Sequence, residues 1–195
     1  MTTLLLARHG ETDWNRDGRW QGHTDIELNE LGREQARALA ASLDGEPIDA
    51  VYSSDLRRAH ETAEIVAAAR GLEVHTDPRL REIYFGRWEG LTTTEVRARF
   101  PEEAERWFSD DGSSSFGGGE TYVDMGERVV SALADIAEAH PDGNVLVILH
   151  GGPIRGLLAH AAGITYGEQR RLRAHLANCD VIRIAVRDGI FTPLD

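Results

Sequence analysis

The sequence predicts a three-layer α/β fold: a mostly parallel central sheet, an antiparallel edge strand, and helices on both faces. Three observations carry this. Residues 3–7 and 145–149 are unbroken apolar runs with the length and character of strands buried on both faces. Each run leads into His-Gly, at His9-Gly10 and His150-Gly151. Between and after them strand patterns alternate with helical ones, as in sheets covered by helices on both sides.

Taken in order, the first run ends in Arg8-His9-Gly10-Glu11-Thr12. A buried parallel strand delivers its last side chains to the carboxyl edge of the sheet, where open α/β folds bind ligands. Residues 11–27 form a polar loop holding Trp14, Asn15, Trp20, Gln21 and His23. A loop this long in a compact domain is usually functional. Asn29 caps a helix with Leu31, Ala38, Leu39, Ser42 and Leu43 at helical spacing, stopped by Gly45. Residues 48–53 are a second strand.

Ser54-Asp55 caps a helix over 56–70, with Gly71 as its stop. Arg57 and Arg58 occupy its first turn, where the helix dipole disfavours cations. A salt bridge to Asp55 or Glu61 is one explanation. For Arg58 an anion site is favoured, in which the helix N-terminus and the guanidinium point at one ligand. A short strand at 73–76 precedes an aromatic-rich loop at 80–90. Two short helices, 94–100 and 102–108, are separated by Pro101. Residues 110–119 are a Ser/Gly linker, expected to be mobile. Thr121 and Asp124 open an amphipathic helix carrying Tyr122, Met125, Val129, Leu133 and Ile136 as far as His140. After the Pro141-Asp142-Gly143 turn and the second His-Gly run, Pro153 suits the first turn of a helix reaching 162. Residues 181–187 alternate, with Ile182, Ile184 and Val186 on one face, as a half-exposed antiparallel edge strand. Asp188-Gly189 then makes a tight hairpin into 190–192.

The 195 residues suffice for one domain, 1–195, with 95–120 as a segment covering the pocket. A net charge of -12 argues against binding nucleic acid or an anionic membrane, although arginines can still gather locally. The one cysteine, Cys179, excludes an intrachain disulfide and a cysteine metal cluster. No basic leader precedes the first strand and no apolar run reaches membrane length, so a cytoplasmic protein is expected.

The two histidines admit three readings. They could be unrelated, one capping a turn and the other satisfied in the core. They could bind a metal, but Arg8, and Arg58 and Arg155 as candidates for the same edge, oppose a dication, and no zinc-like spacing is present. Or one imidazole could attack phosphorus in a pocket whose arginine forks hold the phosphoryl oxygens. The third reading uses every unusual residue at once.

The motif set resembles the histidine phosphatase superfamily, in its phosphoglycerate mutase-like branch. The resemblance spans essentially the whole chain. It rests on Arg8-His9-Gly10-Glu11-Thr12 with Trp14-Asn15, on Arg19-x-Gln21-Gly22, and on Ser54-Asp55-Leu56-x-Arg58-Ala59 with Thr62-Ala63. Arg81-Glu82-Ile83 with Gly86 and Trp88-Glu89-Gly90 continues it, and Gly118-Gly119-Glu120-Thr121 and His150-Gly151-Gly152 complete it. The resemblance implies that His9 is the nucleophile that becomes phosphorylated. Arg8, Arg58 and a cationic His150 would hold the phosphoryl oxygens, with Asn15 and the Gly151 N–H as further donors. Glu82 would protonate the leaving alkoxide and then deprotonate water, a dual role suited to a carboxyl group; otherwise it would pair with Arg79 or Arg81. Gln21, Gly22, Thr24 and His23 would lie near the substrate. His60, His75, His140, His160 and His175 read as surface or packing residues, and Trp14, Trp20 and Trp88 as pocket walls or core.

Phosphatases and mutases of this family share that set. The mutases are longer, with an insertion after the acid motif and a closing tail, and the stretch 82–90 looks like the phosphatase members. The expectation is therefore a metal-independent phosphomonoesterase acting on a small phosphorylated metabolite, with no cofactor. Mutase activity, or a phosphate-binding regulatory module without turnover, are the alternatives. Phe100, Trp107, Phe108 and Phe116, among acids at Glu102, Glu103, Glu105, Asp110 and Asp111, suggest a substrate with an apolar or sugar-like part. The edge strand offers a homodimer contact, and its alternating arginines work against that pairing.

Overall fold

Leu4, Leu5 and Leu6 leave the first strand no face for solvent, so it has to lie inside the sheet. The computed structural model describes residues 1–172 and 176–194, and only the backbone of Phe108. Its elements begin with β1 (Thr2–Arg8), α1 (Asp13–Arg16), α2 (Glu30–Ser42), β2 (Ala50–Ser53), α3 (Arg57–Ala68) and β3 (Val74–Thr76). Two 3₁₀ turns follow, Pro78–Leu80 and Gly86–Trp88, and then α4 (Thr93–Arg99), α5 (Pro101–Ser109) and α6 (Tyr122–Ala139). The chain continues through β4 (Asn144–Leu149), α7 (Gly151–Ala162), α8 (Tyr166–Arg171), β5 (Val181–Arg187) and β6 (Ile190–Pro193).

The strands form one sheet in the order β3-β2-β4-β1-β5-β6. β1, β4, β2 and β3 are parallel, while β5 runs antiparallel to both β1 and β6. The expected antiparallel strand at 181–187 is thus present, with β6 outside it as the edge. Asp188 and Gly189, both at positive φ (51° and 75°), make the tight turn between them. Arg8 pairs with Leu149 across β1 and β4. His9 and His150 therefore leave the sheet side by side, and the His9 N–H donates to Leu149 O at 3.0 Å.

Alternation along the strands divides two apolar layers. Leu4, Leu6, Val145, Val147 and Leu149 face α6 and α7, where Met125, Val129, Leu133, Ile154 and Leu157 are buried. Leu5, Ala7, Val51, Leu146 and Ile148 face α2 and α3 through Leu39, Leu43, Ala59, Ala63 and Val66. Leu4, Leu5 and Leu6 are at most 2% exposed, and burying each contributes roughly 1.5–3 kcal/mol.

Four local readings change. The buried face of α2 is Gly32, Ala36 and Leu39, while Leu31 is 48% exposed and Ala38 is exposed. The cause is a close backbone approach: a Cβ on Gly32 would lie 2.1 Å from Glu11 O, so the inward stripe turns to small residues. The cap of α3 is Leu56, without a side-chain bond. Ser54 Oγ accepts the Leu56 N–H, and Asp55 is taken instead by Arg81. Residues 110–119 are tied down rather than loose: Phe116 is buried beside Trp88, and Gly117 bonds both Glu103 and Arg87. Helices α1 and α8 are additional, each opened by a capping box, at Thr12/Asn15 and Thr165/Glu168. Among the described residues no helix is long and apolar enough to cross a membrane.

Candidate active site

His9 follows directly on β1 and is 3% exposed. Its Nδ1 lies 2.7 Å from Gly10 O. A carbonyl only accepts, so Nδ1 carries the proton and Nε2 carries the lone pair. Thr62 Oγ1 and Asn178 Nδ2 hold the neighbouring backbone, at Gly10 N and His9 O. His150 caps α7 and is fully buried, with its ring centroid 5.1 Å from that of His9. Neither of its ring nitrogens has a hydrogen-bond partner among the described residues.

Arg58 projects from the first turn of α3 and is fully buried. Its guanidinium donates to Thr24 O (2.9 Å) and Gly22 O (2.7 Å), and Nε is unpartnered. Arg8 donates to Leu176 O, and its Nε is likewise buried without a partner. No carboxylate pairs with either guanidinium among the described residues. Buried cations matched only by carbonyls are costly unless an anion joins them. The anticipated pairings fall elsewhere: Arg57 on Glu27, Glu61 on Arg33, and Asp55 on Arg81.

Glu82 does not pair with Arg79 or Arg81, which bind Asp77 with Asp135, and Asp55. Its carboxylate accepts the Gly152 N–H (3.1 Å to Oε1) and the Ile83 N–H (3.0 Å). It therefore sits on the N-terminus of α7, where amides without an intrahelical partner are free to bond an acceptor oxygen. Residue 152 has to be glycine for this, because a Cβ there would lie 2.2 Å from Glu82 Oε1.

These groups converge on one cleft of about 540 Å³, lined by Arg8, His9, Asn15, Gln21, Gly22, Arg58, Glu82 and Gly151 among others. His150 is not itself a lining residue, but its ring packs edge-on against that of His9. Asn15 Oδ1 is engaged by the Thr12 N–H and Gln21 Oε1 by the Thr12 hydroxyl, which orients both amides. Thr24 and His23 do not line the cleft: Thr24 Oγ1 donates to Glu89, and His23 Nε2 lies 2.8 Å from Glu82 O. His60, His75, His140 and His160 lie away from the cleft, and His175 lies outside the described residues. Of the aromatics in 95–120, Trp107 lines the cleft, Phe100 lies under Arg87, and Phe116 is core. Glu103 holds Arg87 and Gly117, and Asp110 and Asp111 cap turns.

Tyr122, Tyr166, Arg155, Arg170 and Leu176 also belong to the wall. The two tyrosine rings stack at 3.7 Å, and Arg170 covers the Trp107 ring at 4.1 Å. The Thr165-x-x-Glu168 capping box was the available signal for α8, which carries Tyr166 and Arg170.

Burial, followed by the Arg58 charge, pushes both His9 and His150 well below the usual histidine range. Burial lowers Arg58 to about 10, still a cation at neutrality. His150 is thus neutral in the free site, and an anion between the imidazoles and guanidiniums would raise it toward the cationic form. Sulfate, a dianion that does not titrate near neutrality, is therefore expected to bind more tightly as pH falls from 8 to 6. Proton uptake should appear as a binding enthalpy that depends on the buffer's ionisation heat. Binding without uptake in this range would contradict the neutral imidazoles.

Fold and cleft together define a class: α/β proteins that present two imidazoles and several guanidiniums at the carboxyl edge of a parallel sheet. Among the described residues, no three His, Cys, Asp or Glu side chains gather as a metal-binding group. The chain belongs to the histidine phosphatase superfamily (branch 1), whose family model matches residues 4–194. It is 34% identical over 195 residues to phosphoserine phosphatase 1 of Hydrogenobacter thermophilus, covering 100% of this chain and 92% of that protein. The solved structure of Bacillus stearothermophilus YhfR superposes with a TM-score of 0.93 at 34% identity, over 100% of this chain and 96% of that one. A mycobacterial glucosyl-3-phosphoglycerate phosphatase solved with VO3 gives 0.89 at 33% identity, over 99% and 97%.

Proposed function

We propose that this chain is a phosphomonoesterase that hydrolyses a small phosphorylated metabolite through a phosphohistidine. One observation carries the reading: the Nε2 lone pair of His9 is held at the cleft by the Nδ1 contact to Gly10 O, beside the Arg8 and Arg58 guanidiniums, which pair with no acid among the described residues. In the first step Nε2 attacks phosphorus and the P–O ester bond breaks. Glu82 gives its proton to the departing alkoxide. Arg8, Arg58 and His150 hold the non-bridging oxygens, aided by Asn15 and the Gly151 N–H. In the second step Glu82 takes a proton from water, the water oxygen bonds phosphorus, and the N–P bond breaks to release phosphate. Splitting the transfer replaces one hard displacement by two easier ones. Gln21 and Gly22 border the substrate.

The substrate proposed is a phosphomonoester whose alcohol part is small and carries a carboxylate. Arg155 lines the cleft and pairs with no acid among the described residues. Tyr122, Tyr166 and Leu176 supply an apolar wall beside it. Relatives named for phosphoserine and glucosyl-3-phosphoglycerate support this, since both esters combine a phosphate with a carboxylate.

The test is phosphate release from phosphoserine, 3-phosphoglycerate and glucosyl-3-phosphoglycerate, with a strong chelator present. Release unaffected by the chelator is expected. Isomerisation of 3-phosphoglycerate without release would make the chain a mutase. Tight phosphate binding without hydrolysis would make it a binding module. Loss of activity restored by a divalent ion would return the metal reading.

A further inference from the structure

Glu82 belongs to a stretch without helix or strand, between the 3₁₀ turn ending at Leu80 and that starting at Gly86. A general acid has to be held within a few tenths of an ångström, and an irregular loop does not do that unaided. The fixing groups are Arg128 on α6 and Glu120 just before that helix. Arg128 Nη1 donates to Arg79 O (2.7 Å) and Arg81 O (2.8 Å), and Nη2 donates to Glu82 O (2.9 Å). The same guanidinium makes a two-pronged bond to Glu120, at 2.6 Å from Nε and 2.8 Å from Nη2. Glu120 in turn bonds Tyr84: its own N–H donates to Tyr84 O (2.9 Å), and its carboxylate accepts the Tyr84 N–H (3.3 Å). His23 Nε2 adds a second donor to Glu82 O. One ion pair thus ties down three residues of the Glu82 loop, Arg81, Glu82 and Tyr84, and Arg79 in the turn before it, and both of its side chains are only about one-fifth exposed (20% and 18%).

We infer that Arg128 and Glu120 are positioning residues that aim the Glu82 carboxyl at the leaving-group oxygen. This rests on the reading of Glu82 as general acid and base. A planar fork is needed, since a lysine ammonium cannot reach three carbonyls and a carboxylate together. Arg128 holds the backbone end of Glu82, and the Gly152 N–H holds its carboxylate end. Without the fork, the carboxylate would still find Gly152 while its reach to the ester oxygen varied.

The test separates positioning from simple support of the fold by using two leaving groups. Single-turnover phosphorylation of His9 is measured with phosphoserine, whose alkoxide needs a proton, and with p-nitrophenyl phosphate, whose phenolate does not. In Arg128→Lys and Glu120→Gln, the phosphoserine rate is expected to fall by on the order of ten- to a hundredfold, part of what a general acid contributes. The p-nitrophenyl phosphate rate should stay within about threefold under the same principle, with KM little changed. Equal losses for both substrates, or none for either, would overturn the inference. If Arg128→Lys does not fold, Glu120→Gln, which keeps the shape of the side chain, carries the test alone. Glu82→Gln is the control and should show the same split in stronger form. If it does not, the reading of Glu82 fails and this inference fails with it. If it does while the Arg128 and Glu120 variants show none, the positioning role alone is wrong.

Discussion

Replacing His9 with alanine is expected to lower turnover by at least ~10⁴-fold and to leave no acid-labile phosphoenzyme. The size follows from what remains. Arg8, Arg58 and His150 would still gather a phosphate ester, so binding should survive, with KM or inhibitor affinity changed little. What disappears is the one atom placed to bond phosphorus, Nε2, and among the described residues no cysteine thiol or other histidine lines the cleft to replace it. The fold should tolerate the change locally, because the loop after β1 is also held by Gly10 N on Thr62 and by Asn178 on His9 O. Steady-state rates with a phosphomonoester, together with a denatured-protein phosphate count, check this. Appreciable remaining activity would remove His9 from the nucleophile role.

Glu82→Gln is expected to cost about 10²- to 10⁴-fold with alkyl phosphates, the usual range for general acid–base catalysis. Glutamine keeps an oxygen for the Gly152 N–H, so the loop should stay where it is. The amide cannot give a proton to an alkoxide or take one from water. With p-nitrophenyl phosphate the first step needs no acid, so His9 should still become phosphorylated quickly while the second step stalls. A burst of nitrophenol followed by a slow phase, with phosphoenzyme accumulating, is the expected trace. Uniform slowing of both steps and both substrates would mean that Glu82 only supports the site.

The parts of this site that were legible were those written into local pattern. Two runs, dominated by aliphatic residues and carrying no charge, had to be interior strands, and their register then places His9 beside His150. Arg58 was conspicuous as a cation at the wrong end of a helix, and burial explains why it stands there. Glu82 stood out only through its motif; nothing in its immediate neighbours separates an acid held by Gly152 from one paired with Arg81. The cleft's outer wall was not legible, because Trp107, Tyr122, Arg155, Tyr166 and Leu176 come from separate segments that meet only in the fold. The α2 face was misjudged for a related reason: apolar periodicity favoured Leu31, while backbone contact with the loop at Glu11 selects Gly32 and Ala36. The charge state of His150 belongs to the same group, since it depends on Arg58, distant in sequence, and on complete burial.

With Nδ1 committed to Gly10 O, Nε2 of His9 is the atom expected to take the phosphoryl group. Phosphorus NMR of the enzyme trapped during turnover under alkaline denaturing conditions distinguishes the two phosphohistidine isomers. A single phosphohistidine is expected, at residue 9 and substituted at Nε2. Substitution at Nδ1, phosphate on another residue, or turnover with no phosphohistidine would contradict it.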